Sequence, residues 1–152
     1  MAEVLFYHLE RQPLERALPG LLQRSLERGW RVVVKVGSDE RLQALNAHLW
    51  TFDDASFLPH GAAADGHAEA QPIWLTTGDD NPNGARVRFL VDGAENEDFG
   101  GWDRVVFMFD AANQDAVGRA RNAWKAAQAA GQDATYWRQD ENGRWAKSAK
   151  PS

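Results

Sequence analysis

The hydrophobic positions of this chain alternate between short continuous runs and a helical spacing. Val4-Leu5-Phe6-Tyr7 is a short apolar run and predicts a buried strand. Pro13, a residue favoured in the first turn, then opens a helix in which Leu14, Leu18, Leu21, Leu22 and Leu26 recur at helical spacing. Gly29 stops it, and Pro19 inside it either kinks the helix or delays its start. Arg31 to Val36 is β-branched and bounded by Gly29 and Gly37, which predicts a second strand. Ser38 is placed as an N-cap, with Asp39 and Glu40 in the first turn and Leu42, Leu45 and Leu49 on the apolar face of a second helix. This β-α-β-α order predicts a parallel α/β sheet.

Residues 51 to 72 break that order, and Gly61 to Ala70 reads as an exposed loop. Ile73 to Thr76 is a strand, Gly78 to Gly84 a dense turn, Val87 to Val91 a strand and Val105 to Phe109 a strongly buried one. Gln114 to Ala130 is an alanine-rich helix stopped by Gly131. Ala134 to Arg138 and Arg144 to Lys147 flank Asp140-Glu141-Asn142-Gly143, whose Asn-Gly predicts a terminal β-hairpin. The expectation is one domain over residues 1–150, with Pro151-Ser152 frayed.

Composition narrows the function. The chain has 152 residues, enough for a core of its own, and no cysteine, so disulfides, thiolate metal sites and a cysteine nucleophile are out. The start lacks the basic and apolar regions of a signal peptide, and no run approaches the ~20 apolar residues that span a bilayer; a soluble protein is expected. The formal charge of -5 disfavours direct nucleic-acid binding, although Arg119, Arg121, Lys125, Arg138, Arg144, Lys147 and Lys150 form a local basic third. Seven tryptophans leave room for some at binding surfaces.

Enzyme chemistry finds little support. The turn after the first strand, His8-Leu9-Glu10-Arg11-Gln12, has no glycine to cradle a pyrophosphate, and GxxxxGK[ST] is absent. No cofactor is expected. His60, Asp65 and His67 match no zinc spacing, so His60 after Pro59 reads as a hydrogen-bonded structural histidine. Ser56 lacks a nucleophile elbow, and Asp79-Asp80 lies in a solvated turn.

Two clusters suggest binding instead. Trp50, Phe57 and Pro59 either pack at a helix end or form an exposed apolar patch. In Ala120-Arg121-Asn122-Ala123-Trp124-Lys125, helical spacing brings Arg121, Trp124 and Lys125 onto neighbouring positions, a seat for an acidic, aromatic peptide. The alternative is that Val117, Ala120, Trp124 and Ala127 form an apolar stripe, with Trp124 in the core and the two cations flanking it.

Taken together, the chain resembles the chi subunit family of bacterial DNA polymerase III holoenzyme. The matching pieces are Phe6-Tyr7 with Leu9, Gly29-Trp30-Arg31-Val32, Leu49-Trp50, Ser56-Phe57-Leu58-Pro59-His60 and Gln71-Pro72-Ile73. Ala120-Arg121 with Trp124-Lys125, Tyr136-Trp137 and Gly143-Arg144-Trp145 complete them. The resemblance implies a Rossmann-like three-layer α/β/α domain with a mostly parallel sheet, a C-terminal antiparallel β-hairpin and no nucleotide-binding loop. It implies a non-catalytic accessory subunit in the bacterial cytoplasm, at the replisome. There it would link the clamp loader to single-stranded-DNA-binding protein by docking that protein's acidic C-terminal tail, touching DNA only indirectly. Tail binding falls on Arg121, Trp124 and Lys125; Trp50, Phe57 and Pro59 match the patch that faces the psi subunit or, instead, a repair helicase.

Overall fold

The computed structural model describes residues 3–10, 12–51, 60–62, 68–94, 101–142 and 144–148, with backbone alone at 50, 51 and 68. The elements run β1 (Glu3–Leu9), α1 (Leu14–Glu27), β2 (Val32–Val36), α2 (Asp39–Thr51), β3 (His60–Gly61), β4 (Ile73–Thr76), β5 (Val87–Val91), β6 (Arg104–Asp110), α3 (Gln114–Ala129), β7 (Asp133–Gln139) and β8 (Trp145–Ser148). Among the described residues the strands form one sheet in the order β3-β4-β2-β5-β6-β1-β7-β8. Every neighbouring pair is parallel except β7 with β8.

The strand sequences explain this arrangement. Val-Val-Val-Lys-Val in β2 and Val-Arg-Phe-Leu-Val in β5 are near-continuous apolar runs, as expected of parallel strands covered on both faces. The outermost pair departs from that pattern. β8 joins β7 with Trp137 opposite Lys147 and Gln139 opposite Trp145, and it mixes polar with aromatic residues.

Helices lie on both faces. Leu14, Leu18 and Leu22 of α1 and Leu42, Leu45 and Leu49 of α2 join Leu5, Val34, Leu75 and Met108 in one apolar cluster. Ala120, Trp124 and Ala127 of α3 meet Val4, Phe6, Phe109 and Tyr136 in a second. Alternation along β1 divides the two: Leu5, Tyr7 and Leu9 face α1, whereas Val4 and Phe6 face α3. The result is the expected three-layer α/β/α domain with its terminal hairpin.

Local signals hold at most ends. Ser38 Oγ accepts from the Arg41 amide at 3.2 Å, the N-cap bond expected of α2. Gly29 and Gly131 take φ of +79° and +74° after α1 and α3. Trp30 N–H donates to the Ser25 carbonyl and Gln132 N–H to the Ala127 carbonyl, both at 3.0 Å, which closes each helix in a Schellman motif.

Two expectations change. Pro13 caps α1 from outside, and the helix runs unbroken through Pro19. Residues 60 and 61, expected at a loop, form a short edge strand in register with Ile73 and Trp74, and Ala68–Ala70 is a 3-10 turn. Hydropathy alone hides β3, because its buried side chain is a histidine. His60 is 2% exposed, and its Nε2–H donates to the Asn46 carbonyl of α2 at 3.3 Å, a structural role.

Candidate docking site

α3 is fixed to the sheet before it presents anything outward. Asn113 Oδ1 accepts from the Ala116 amide at 3.1 Å and starts the helix. Small side chains at Ala120 and Ala127 let the helix approach the sheet, and Trp124 fills the space between them. The Trp124 ring stands edge-on to Phe6 at 5.4 Å and to Tyr136 at 6.0 Å.

Of the three tail-site residues, Arg121 and Lys125 are exposed and one turn apart. Trp124 is only 8% exposed and belongs to the core. The arrangement is the apolar-stripe alternative: Ala120, Trp124 and Ala127 are buried, and Val117 packs beside them. What reaches solvent is chiefly the two cations, flanking a buried indole.

Beneath them lies a polar network that the sequence did not announce. Tyr136 is 1% exposed, and its hydroxyl hydrogen-bonds His8 Nδ1. His8 Nε2 stands 4.0 Å from Glu10 Oε1, which also accepts from Arg138 Nε at 2.8 Å. A proton on Nε2 faces that carboxylate, so Nδ1 accepts from the tyrosine. Burial pushes the Tyr136 hydroxyl up to about 12, against the opposing fields of Arg138 and Arg121. Burial likewise holds His8 below the ordinary histidine range. The charge of Arg121 is thus felt at the core tyrosine of β7. The only trace of this network in the sequence is a histidine in an apolar strand.

A groove of about 1000 Å³ runs along the neighbouring side of α3, at the carboxyl ends of β1, β5 and β6. Leu9, Leu14, Phe107 and Ala123 give it an apolar floor, and Arg119, Arg41 and Asp92 stand around it. Asp92 has a φ of +51°; burial raises its carboxyl, and Arg41 Nε lies 3.4 Å away. Arg119 and Arg121 are two residues apart and so point to different sides of the helix, which is why spacing grouped Arg121 with Lys125 and passed over Arg119.

Phe57 and Pro59 lie outside the described residues, as does the side chain of Trp50, whose backbone is in the last turn of α2. Asp65 and His67 lie outside them too. Among the described residues no group of three or more His, Asp or Glu gathers where a metal ion could be held, and no helix is long and apolar enough to cross a membrane.

Comparison with known proteins places this architecture. A curated protein of Rickettsia prowazekii (strain Madrid E), named Probable DNA polymerase III subunit chi, is 28% identical over 91 residues, 60% of this chain and 55% of that relative. The chain therefore spans about half the length of the curated relative it matches. The family model described as DNA polymerase III chi subunit, HolC, matches residues 1–135, from the first strand through α3 and into β7. The chain belongs to the DNA polymerase III chi subunit family.

Proposed function

We propose that this chain is a non-catalytic adaptor that ties the clamp loader of a bacterial replisome to single-stranded-DNA-binding protein. It works in the cytoplasm by docking the acidic C-terminal tail of that protein on α3. The supporting observation is the exposed Arg121–Lys125 pair, one turn apart above buried Trp124. Carboxylates of the tail pair with the two cations by charge-assisted hydrogen bonds. Because Trp124 is almost wholly buried, the tail's terminal phenyl ring finds its apolar contact beside it, near Val117, one turn before Arg121 on the same flank of α3. Such contacts weaken with salt.

A second partner, psi or a repair helicase, is assigned to the patch of Trp50, Phe57 and Pro59 at and beyond the end of α2. At the α3 site DNA is reached only through the tail-bearing protein.

Calorimetric titration with a peptide copying the last residues of the host's single-stranded-DNA-binding protein tests the reading. The control is the same peptide without its terminal phenylalanine. Salt-sensitive binding, lost with the control and weakened by Arg121→Ala, is expected. Equal binding of both peptides, or of wild type and Arg121→Ala, overturns the site.

A further inference from the structure

The sheet face on the α1 side carries a different chemistry from α3. α1 packs on β6 and α2, while β7 and β8 extend the sheet past β1. On this extension Tyr7 and Trp137 stack at 6.1 Å, and Trp145 meets Tyr7 edge-on at 4.9 Å. Lys147 lies 5.7 Å over the Trp137 ring. All three rings are partly buried against the core, each with some surface open to solvent.

Tyr7 also borders a small cup of about 90 Å³, in which Arg24, Arg28 and Arg104 stand with Trp30 over the apolar side chains of Leu5, Leu21, Phe89 and Val106. A cup of this size holds one tetrahedral anion, about three waters' worth of volume. Arg104 stands 4.7 Å and Arg28 5.0 Å from the Trp30 ring centre. Arg104 also pairs with Glu3 at 2.9 Å, and Asp133 is opposite Glu3 in the register, so these two acids lie beside the Arg104 side of the cup and leave Arg24 and Arg28 as its free cations among the described residues. Arg24 and Arg28 are exposed and have no carboxylate partner among the described residues. Cations therefore alternate with rings in one continuous band: Lys147, Trp137, Tyr7, Arg24 and Arg28, Trp30.

We propose that this band binds a single strand of nucleic acid. Phosphates occupy the arginine cup, and unstacked bases pack against the partly exposed indole of Trp145, beside Lys147. Repetition favours a strand over an acidic peptide: phosphates and bases recur along a nucleic acid, whereas a tail ends in one carboxylate and one ring. The net charge of -5 restricts contact to where cations cluster, which makes binding weak and salt-dependent. Residues 136–148, which supply the hairpin half of the band, lie beyond the span matched by the family model.

The test is fluorescence anisotropy of the full chain with a labelled oligodeoxythymidine of about 20 nucleotides, starting near ~20 mM salt. Wild type should bind, with affinity falling linearly on a log–log salt plot. The double charge reversal Arg24→Glu/Arg28→Glu should lose about tenfold or more and flatten the slope by about 1.4, the value for two phosphate contacts to a single strand. Trp145→Ala should weaken binding without changing that slope. Both variants should keep a native circular dichroism spectrum and bind the tail peptide as wild type does, which separates this face from the α3 site. No oligonucleotide binding at low salt, or equal binding by the charge-reversed variant, overturns the proposal. So does loss of tail-peptide binding in Arg24→Glu/Arg28→Glu, which would make the band part of a peptide site.

Discussion

His48 Nε2 donates to the carbonyl of Glu15 at 2.7 Å, tying α2 to α1. In an unbroken helix that carbonyl would accept from residue 19, but residue 19 is proline and has no N–H. The imidazole takes the place of the missing amide, so the helix runs through Pro19 with its freed acceptor satisfied. Replacing His48 with alanine leaves the carbonyl without that donor and should cost about 1–3 kcal/mol in urea denaturation. In a Pro19→Ala background, where the backbone regains a donor, the same change should cost clearly less. Equal costs in the two backgrounds would show that the bond and the proline are uncoupled.

The chain has two tyrosines, and both hydroxyls are held above their ordinary range by burial, Tyr136 to about 12. Between pH 10 and about 12 the folded chain keeps a proton at Tyr136 that the unfolded chain has lost. Stability therefore falls as pH rises through that window. Ultraviolet titration should show little tyrosinate below pH 10 in the native protein, followed by a late phase that Tyr136→Phe removes. Two tyrosines titrating together near 10 in the native state would contradict the buried hydroxyl.

His8 has the opposite sign. Its folded value lies below the ordinary histidine value of about 6.5, so the unfolded chain binds the proton first as pH falls. Its contribution is complete above about 6.5 and declines below it. The His8 ring resonances should titrate later than those of an exposed histidine, and His8→Gln should reduce the loss of stability on mild acidification. An unshifted His8 titration would contradict its burial against Tyr136.

Trp124 and Arg121 are neighbours on α3 with separable roles. Trp124→Ala should cost about 3–5 kcal/mol of stability, because the indole fills the core between Phe6 and Tyr136. Arg121→Ala and Lys125→Ala should leave thermal unfolding nearly unchanged and weaken tail binding by several-fold to a hundredfold, about 1–3 kcal/mol. Thermal melts and peptide titrations on the same preparations check both. A Trp124→Ala variant of wild-type stability would remove the indole from the core.

Much of the fold was legible because its signals are local. β2, β5 and β6 declare themselves as β-branched or apolar runs, α3 by its alanines and Gly131, and the hairpin by Asn142-Gly143. β3 was not legible, since a polar edge residue held by Asn46 leaves no apolar pattern. The passage of α1 through Pro19 was hidden because the compensating donor comes from another helix. At the candidate site, spacing placed Arg121 and Lys125 together correctly, but only packing against Phe6 and Tyr136 decides that Trp124 faces inward. The pairing of His8 with Tyr136 joins residues 128 positions apart, beyond any local pattern.

The place of α3 in the sheet order has a mechanical consequence. The helix is bracketed by β6 and β7, which hold β1 between them in parallel ladders of seven and six residue pairs. A pull on α3 is spread over both ladders and loads their hydrogen bonds together, in shear. A pull on β8 meets one antiparallel ladder of four pairs, which opens one bond at a time like a zip. A load on α3 is thus shared by two long ladders, whereas the same load on the terminal hairpin falls on one short ladder at the edge of the sheet.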